Sequence, residues 1–549
     1  MKRAQVQNEP NANYAPANEQ SAVARNQKQM HSRIKTQITN PLFSGEYLRR
    51  LIFPLVAEQF LAMTIGACDT IMVSSVGEAG VSGVSLIDQF SQLMIQLFAA
   101  FATGGAVVSS QYLGRKDAQS ARRAAKQLLY ISFAAGALIL AVCVPLRKRI
   151  LAFLYGKIAS DVMNAALVYF VWIFFSFPFL AVYSGCAALY RSMGNSKLSL
   201  QVSLLMNVIN IGGNAVLIYG AKVGVAGAGI STLLSRAVAA LVMLFLLCRV
   251  PKSGGKKNRA RKLKKTRKLK KARGQLAKLS ADDSRTAESQ SSEPLSSVAE
   301  TLSFDSSDEE NLIYIDGLFD FEARPDMIKR ILTIGIPSGI ENSVFQIGKI
   351  FVQSFMSGFG TAAIAANAVC NSVASFANIP GSSIGLGSVT IVGQCVGAGE
   401  KEQAVHYGAK LMKITYAAMF VLCALLFVFA PAIVSLFNLS EEASALASGV
   451  IRSAMSANAV FWPMAFTMPN VLRAAGDAKF TMLVSNFSMW AFRVLFSRVI
   501  SLAILKVNPE ATHLALYGVW FGMYIDWIFR AAMFYTRFKS RKWLEKKVI

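Results

Sequence analysis

Residues 54–69 read PLVAEQFLAMTIGACD, and residues 337–352 read PSGIENSVFQIGKIFV. Sliding the chain by 283 positions puts Pro54 on Pro337, Glu58 on Glu341 and Gly77 on Gly360. Without a gap, Gln111 then falls on Gln394 and Gly114 on Gly397. The echo continues downstream at nearly the same offset, where Arg191-Ser-Met-Gly194-Asn195-Ser-Lys197 is answered by Arg473-Ala-Ala-Gly476-Asp477-Ala-Lys479. Gly224 and Arg236 are twelve apart, as are Gly518 and Arg530. A period this long means a duplicated domain, not a solenoid of short units.

Composition says what kind of domain was duplicated. Of 549 residues, 54% are hydrophobic and only 16% charged, and the mean hydropathy is +0.42. Apolar runs long enough to cross a bilayer, about 20 residues each, recur through both halves. They lack the alternating polar faces of a soluble domain. The net charge of +26 is concentrated in a few loops, chiefly residues 252–278, which speaks for topology and against a nucleic-acid partner. The seven cysteines all fall in apolar segments without CxxC or Cys/His spacing, so neither a disulfide framework nor a zinc site is indicated.

The runs predict an all-α integral membrane protein of twelve transmembrane helices. The first half gives spans at 51–75, 86–110, 127–146, 163–185, 200–219 and 228–248. The second gives 331–356, 366–392, 411–430, 447–470, 481–503 and 516–537. An even number per half makes the two six-helix lobes parallel, related by a pseudo-two-fold axis along the membrane normal. The domains expected are a polar tail (1–48), a first lobe (49–250), a charged, disordered linker (251–327), a second lobe (328–540) and a basic tail (541–549). Arg115, Lys116, Arg122, Arg123 and Lys126, the matching Lys401, Lys410 and Lys413, and the C-terminal basic residues all fall on one side. The positive-inside rule makes that side the cytoplasm, with both termini there and the chain in the plasma (inner) membrane. Arg147-Lys148-Arg149 falls on the opposite side. The linker pairs a Lys/Arg block at 252–273 with a Ser- and acid-rich stretch at 280–310. The basic block can attract anionic lipid head groups, hold the loop inside, or pair with the acidic block.

Ionisable groups inside a span are costly and mark function. Glu58 and Asp69 are eleven residues apart on the first span, which places them on one face about 16 Å apart along the axis. Glu58, Asp88 in the second span and Glu341 in the second half form a candidate ion or proton path beside Asp69. Asn207, Asn210 and Asn214 follow at i, i+3 and i+7 on the fifth span. Their amide oxygens beside a carboxylate suit Na⁺, while the same side chains can equally glue helices together. The second half carries Val352 where the first has Asp69 and Asn371 where it has Asp88. Only Glu341 repeats, and Lys349, eight residues on, is placed to neutralise it.

Other motifs carry less. Gly381-Ser-Ser383-Ile-Gly385 fits a hydrolase elbow in letters only, since it lies inside an apolar span. The chain has no phosphate-binding GxxxxGK[ST] loop and three histidines in all, and no enzymatic activity is expected.

At these residues the chain resembles the MATE family, the multidrug and toxic compound extrusion transporters, over roughly 45–250 and 327–540. The features are Pro54 to Asp69-Thr70, Gly104-Gly105 through Gln111-Tyr-Leu-Gly114, Arg191 to Asn195, Asn207 to Asn214, and Gly224-Val-Ala-Gly227-Ala. The resemblance implies a two-lobe exporter that exchanges a cationic or amphipathic compound for Na⁺ or H⁺, without further cofactor and as a monomer. It places a first-lobe cation site on Asp69, Asn210, Asn214 and Thr232. The chain departs from the family at Asn214, where some relatives carry Asp, and at Phe345, where others carry Glu. No acid occurs from Ala457 to Leu472, where still others have one. Two alternatives stand beside this reading. One is a flippase or exporter of a lipid-linked or metabolite substrate, to which Arg493 and Arg498 point; the other is a non-transporting receptor or scaffold that reads the linker.

Overall fold

The structure, a computed structural model, describes residues 41–156, 159–249, 313–318, 320, 322–437 and 439–549. Among them there are helices and turns and no strand. The first lobe runs α1 (Gly45–Ser74), α2 (Glu78–Gly114), α3 (Ala118–Cys143), α4 (Ser160–Ser192), α5 (Ser196–Asn214, continued by a π stretch Ala215–Gly220) and α6 (Val225–Cys248). The second opens with α7 (Pro325–Met356) and α8, which is broken into Thr361–Ala377 and Ile379–Gly397. It goes on through α9 (Lys401–Val428) and α10 (Glu441–Trp462, a π turn Pro463–Thr467, then Met468–Ala474). α11 (Ala478–Ser488, a π stretch Met489–Phe496, then Ser497–Val507) and α12 (Thr512–Lys539) complete it.

Each lobe also carries a short helix between its third and fourth spans, Arg147–Tyr155 in the first and Ala430–Ser435 in the second. The basic triplet Arg147–Arg149 therefore opens a surface helix of nine residues and does not extend a span.

Many helices begin several residues before the apolar runs, and at α1, α3, α5 and α10 a polar side chain caps the start. The Asp117 side chain accepts the Ser120 backbone N–H at 2.9 Å, so α3 starts well ahead of the expected 127. Asn195 accepts from Leu198 at 3.3 Å and does the same for α5. Each such bond satisfies one of the four orphan donors of a helix start. Gly77 (φ 104°) and Gly360 (φ 90°) turn the chain between the first two spans of each lobe in a conformation that suits glycine.

Among the described residues, eight helices are long and apolar enough to cross a membrane on length and composition alone. The spans that fall short are α1, α7, α10 and α12. Three of these carry the buried acids Glu58, Glu341 and Asp526. Their lower hydropathy reflects chemistry placed inside the bundle, where neighbouring helices shield it.

The lobes meet along α2–α7 and α8–α1, and their closest approach is at the basic end. A Cβ on Gly114 would strike the Gln394 backbone, and one on Gly397 would strike the Gln111 backbone. Small residues let these helix ends pass at near-contact, as in other membrane bundles. Ser383 in the elbow-like motif is buried and donates to the Ile379 carbonyl at 2.7 Å, which is helix packing with no nucleophile geometry.

The end of the expected disordered linker is in fact held in place. Ile313 and Ile315 are buried, and the Ile315 N–H donates to Leu247 O at 3.0 Å. The Arg122 guanidinium lies 3.7 Å over the Tyr314 ring. Gln127 clasps the segment by donating to Glu322 O at 2.7 Å and accepting from Arg324 N–H at 3.2 Å. α7 then starts at Pro325, ahead of the expected boundary at 328. The basic block 252–273 and the acidic stretch to 310 lie outside the described residues.

Candidate functional site

In the first lobe, Asp69, Asn210, Asn214 and Thr232 come together from α1, α5 and α6. Asn214 Nδ2 donates to Asp69 Oδ1 at 2.7 Å. With its nitrogen facing α1, the Asn210 amide donates to Asp69 Oδ1 and Oδ2 at 2.7 and 3.2 Å and accepts from Thr232 Oγ1 at 3.2 Å. Thr232 is itself fixed by donating to Ala228 O at 2.9 Å. The carboxylate, the two amides and the hydroxyl carry oxygens of the type that hard cations take. The Asn214 Oδ1 atom is buried with no hydrogen-bond partner, so an acceptor stands unused beside an acid. The donor set fits a small cation.

The local fold explains the aim. Asn207, Asn210 and Asn214 lie on one face of α5 and are all buried. Asn214 is also the residue at which α5 passes into the π stretch Ala215–Gly220, a feature that often marks a functional position in a helix. Asp88 on α2 accepts from Tyr169 at 3.4 Å and is within electrostatic reach of Asp69 together with Arg236. Arg236 donates to Ser176 Oγ at 2.7 Å and pairs with neither acid at ion-pair distance among the described residues.

Glu58 and Glu341 belong elsewhere. Ser199 Oγ reaches both Glu58 oxygens at 2.9 Å, and Arg191 lies 3.7 Å away. In the other lobe Arg473 pairs with Glu341 at 2.7 Å, with Ser485 and Thr481 donating at 2.8 and 3.3 Å. Arg473 and Thr481 are the repeat partners of Arg191 and Ser199, so the duplication preserved a whole cluster. Each cluster ties the first span of its lobe to the turn between the fourth and fifth. The structure does not bring Glu58 to Asp69, and the partner expected for Glu341, Lys349, is replaced by Arg473.

The second lobe holds a different centre, at the same level as Asp69. A cavity of about 230 Å³ lies between α7, α8, α10, α11 and α12, with Lys349, Arg493 and Asn371 on its wall. Behind it Asp526 is fully buried; its Oδ1 accepts from Arg530 Nε at 2.6 Å and from Ser488 Oγ at 2.5 Å. Arg493 Nε approaches Asp526 Oδ2 at 3.5 Å. The sequence reading passed over Asp526, although a signal existed. Asp526 follows Gly518 by the same eight residues that separate Thr232 from Gly224, and it precedes Arg530 by one helical turn. A larger cavity of about 890 Å³ opens beside Arg49, Arg50 and Lys197 and contains none of these acids.

Two parallel six-helix lobes, each with ionisable groups held inside the bundle, define a multi-pass membrane transporter. The MatE family model matches residues 54–216 and 337–499, once per lobe, and the chain belongs to the MATE family. It is 25% identical over 529 residues to the uncharacterized transporter YisQ of Bacillus subtilis, covering 93% of this chain and 98% of that one. It is 22% identical to the probable multidrug resistance protein NorM of Thermotoga maritima, covering 91% and 94%. The fold also matches the outward-facing conformation of a multidrug resistance MATE transporter of the MOP superfamily. That match has a TM-score of 0.72 at 18% identity, over 90% of this chain and 96% of that one.

Proposed function

We propose that the protein is a secondary active exporter of amphipathic small molecules, cationic drugs and toxins among them, driven by inward movement of Na⁺ or H⁺. The observation that carries this reading is the first-lobe cluster, an acid flanked by two amides and a hydroxyl inside a membrane bundle. The cation binds at Asp69 and favours one of two lobe arrangements, and substrate favours the other. Coupling requires such unequal preferences. Inward passage of one positive charge supplies about 2.3 kcal/mol per 100 mV. The orientation that goes with this reading has the basic end and both termini in the cytoplasm. Closure of the lobes at that end then corresponds to a state open to the outside, with Asp69 near the outer end of α1. The relatives described as multidrug resistance proteins support export as the direction.

The deciding experiment is substrate efflux from proteoliposomes under an imposed Na⁺ or pH gradient, for wild type and Asp69→Asn. Efflux driven by one gradient and lost in the variant at unchanged expression is the expected result. Wild-type efflux by Asp69→Asn would overturn the assignment.

A further inference from the structure

The two lobes carry opposite charge at equivalent depth. Asp69 and Asp88 in the first lobe are replaced by Val352 and Asn371 in the second, while Lys349 stands where the first lobe has Gly66. Arg236 is repeated as Arg530, and Asp526 takes the position of Thr232. The second-lobe centre therefore has three cationic side chains, Lys349, Arg493 and Arg530, against one carboxylate. That carboxylate is engaged, since Asp526 Oδ1 already accepts from Arg530 and Ser488. Lys349 has no acid within ion-pair distance among the described residues, and Arg493, 6% exposed, reaches Asp526 only at 3.5 Å. Lys349 is exposed on the cavity wall, and with two cations in excess of the one carboxylate the centre is electropositive and attracts an arriving anion.

The surroundings specify what bears the anion. Phe345, Trp462, Phe466 and Trp527 line the cavity. Phe466 stacks on Trp462 with ring centroids 5.1 Å apart, and the Arg493 guanidinium lies 5.0 Å over Phe345. The indole N–H groups of Trp520 and Trp527, on the same wall, are buried with no hydrogen-bond partner among the described residues. Orphaned donors, fixed guanidinium and aromatic rings are complementary to a carboxylate or phosphate on a flat apolar body.

We propose that the second-lobe cavity is an anion-receiving site, which binds the acidic group of an aromatic amphipath through Lys349 and Arg493. This rests on the exporter reading and narrows it: the molecules carried include acids and zwitterions, with their negative end in the second lobe. The same anionic chemistry could come from a lipid head group or from a soluble molecule.

The test is equilibrium binding of radiolabelled 2-naphthoate to the full chain in phosphatidylcholine nanodiscs, with 2-naphthamide and 2-naphthylmethylammonium as competitors. Naphthoate is expected to bind at least about tenfold tighter than either. Lys349→Gln and Arg493→Gln should each remove that preference, and Lys349→Gln, which breaks no ion pair, should leave the thermal midpoint unchanged. Equal binding of acid and amide, preference for the ammonium, or full naphthoate affinity in a folded Lys349→Gln protein would overturn the proposal. Repeating the titration with phosphatidylglycerol in the nanodisc separates the sources. Loss of naphthoate binding there assigns the site to lipid head groups, and its survival assigns it to soluble acids. Because binding needs no gradient, absence of driven efflux would sink the exporter reading and leave the anion site standing.

Discussion

Gln111 and Gln394 reach across the lobe boundary in opposite directions. Gln111 Nε2 donates to Ala474 O at 2.8 Å, and Gln394 Nε2 donates to Ser192 O at 2.7 Å. The acceptors are themselves repeat partners, so one contact is made twice about the pseudo-two-fold axis. Each bond contributes about 1 kcal/mol to keeping the basic end closed. Gln111→Ala with Gln394→Ala should shift the resting population toward separation at that end. Double electron–electron resonance between labels at Arg115 and Lys401 should show a longer distance distribution. Gly397→Val should do the same, because its side chain meets the Gln111 backbone.

Asn214 offers Asp69 both a donor and an unused oxygen. Removing a group that bonds a charge costs about 1.5–3 kcal/mol. If the cation is Na⁺, Asn214→Ala should therefore raise the Na⁺ concentration for half-maximal efflux by about ten- to a hundredfold, read as a shift of the Na⁺ titration in proteoliposomes. Maximal efflux at saturating cation should be retained.

Asp526 holds two guanidinium groups in a closed space. Asp526→Ala leaves both uncompensated and should cost about 3–5 kcal/mol, the penalty for breaking one side of a buried ion pair. Asp526→Leu combined with Arg530→Leu leaves one guanidinium, Arg493, uncompensated instead of two and should lie between Asp526→Ala and wild type. Thermal unfolding in detergent checks the order of the two.

Asp117, in the turn between α2 and α3, has its carboxyl held below the usual range, first by the Ser120 hydroxyl and then by the Ser120 backbone N–H. A depressed value means that the cap stabilises the fold above the ordinary carboxylate value of about 3.9 and loses that contribution as pH falls through the folded value. Asp117→Ala should cost about 1 kcal/mol at neutral pH. The difference in thermal midpoint from wild type should shrink as pH falls below the ordinary carboxylate value of about 3.9 and toward the depressed folded value.

The duplicated frame was legible because spacing survives where chemistry changes. Gln111 and Gln394, Glu58 and Glu341, and the positive-φ glycines Gly77 and Gly360 all hold equivalent places. The first-lobe cluster was legible too, since Asn210 and Asn214 share a helix face and Asp69 is an acid in an apolar run. What escaped was the partner of each charge. Spacing along α7 puts Lys349 two turns from Glu341, yet the acid turns to Arg473, 132 positions away. Asp526 escaped for the converse reason. The first lobe has Thr232 at that position, so matching residue to residue hid an acid that the second lobe gained. Helix starts were misjudged wherever a polar cap such as Asp117 lay outside the apolar run.

The clasp of residues 313–324 on α3 and α6 also has a bearing on how the molecule can be divided. Because this strip adheres to the first lobe while leading directly into α7, it belongs mechanically to one half and covalently to the other. Two polypeptides cut between 252 and 310 should still find each other, since the second fragment carries its own docking strip for the first. Cutting after 324 would strand that strip on the wrong piece.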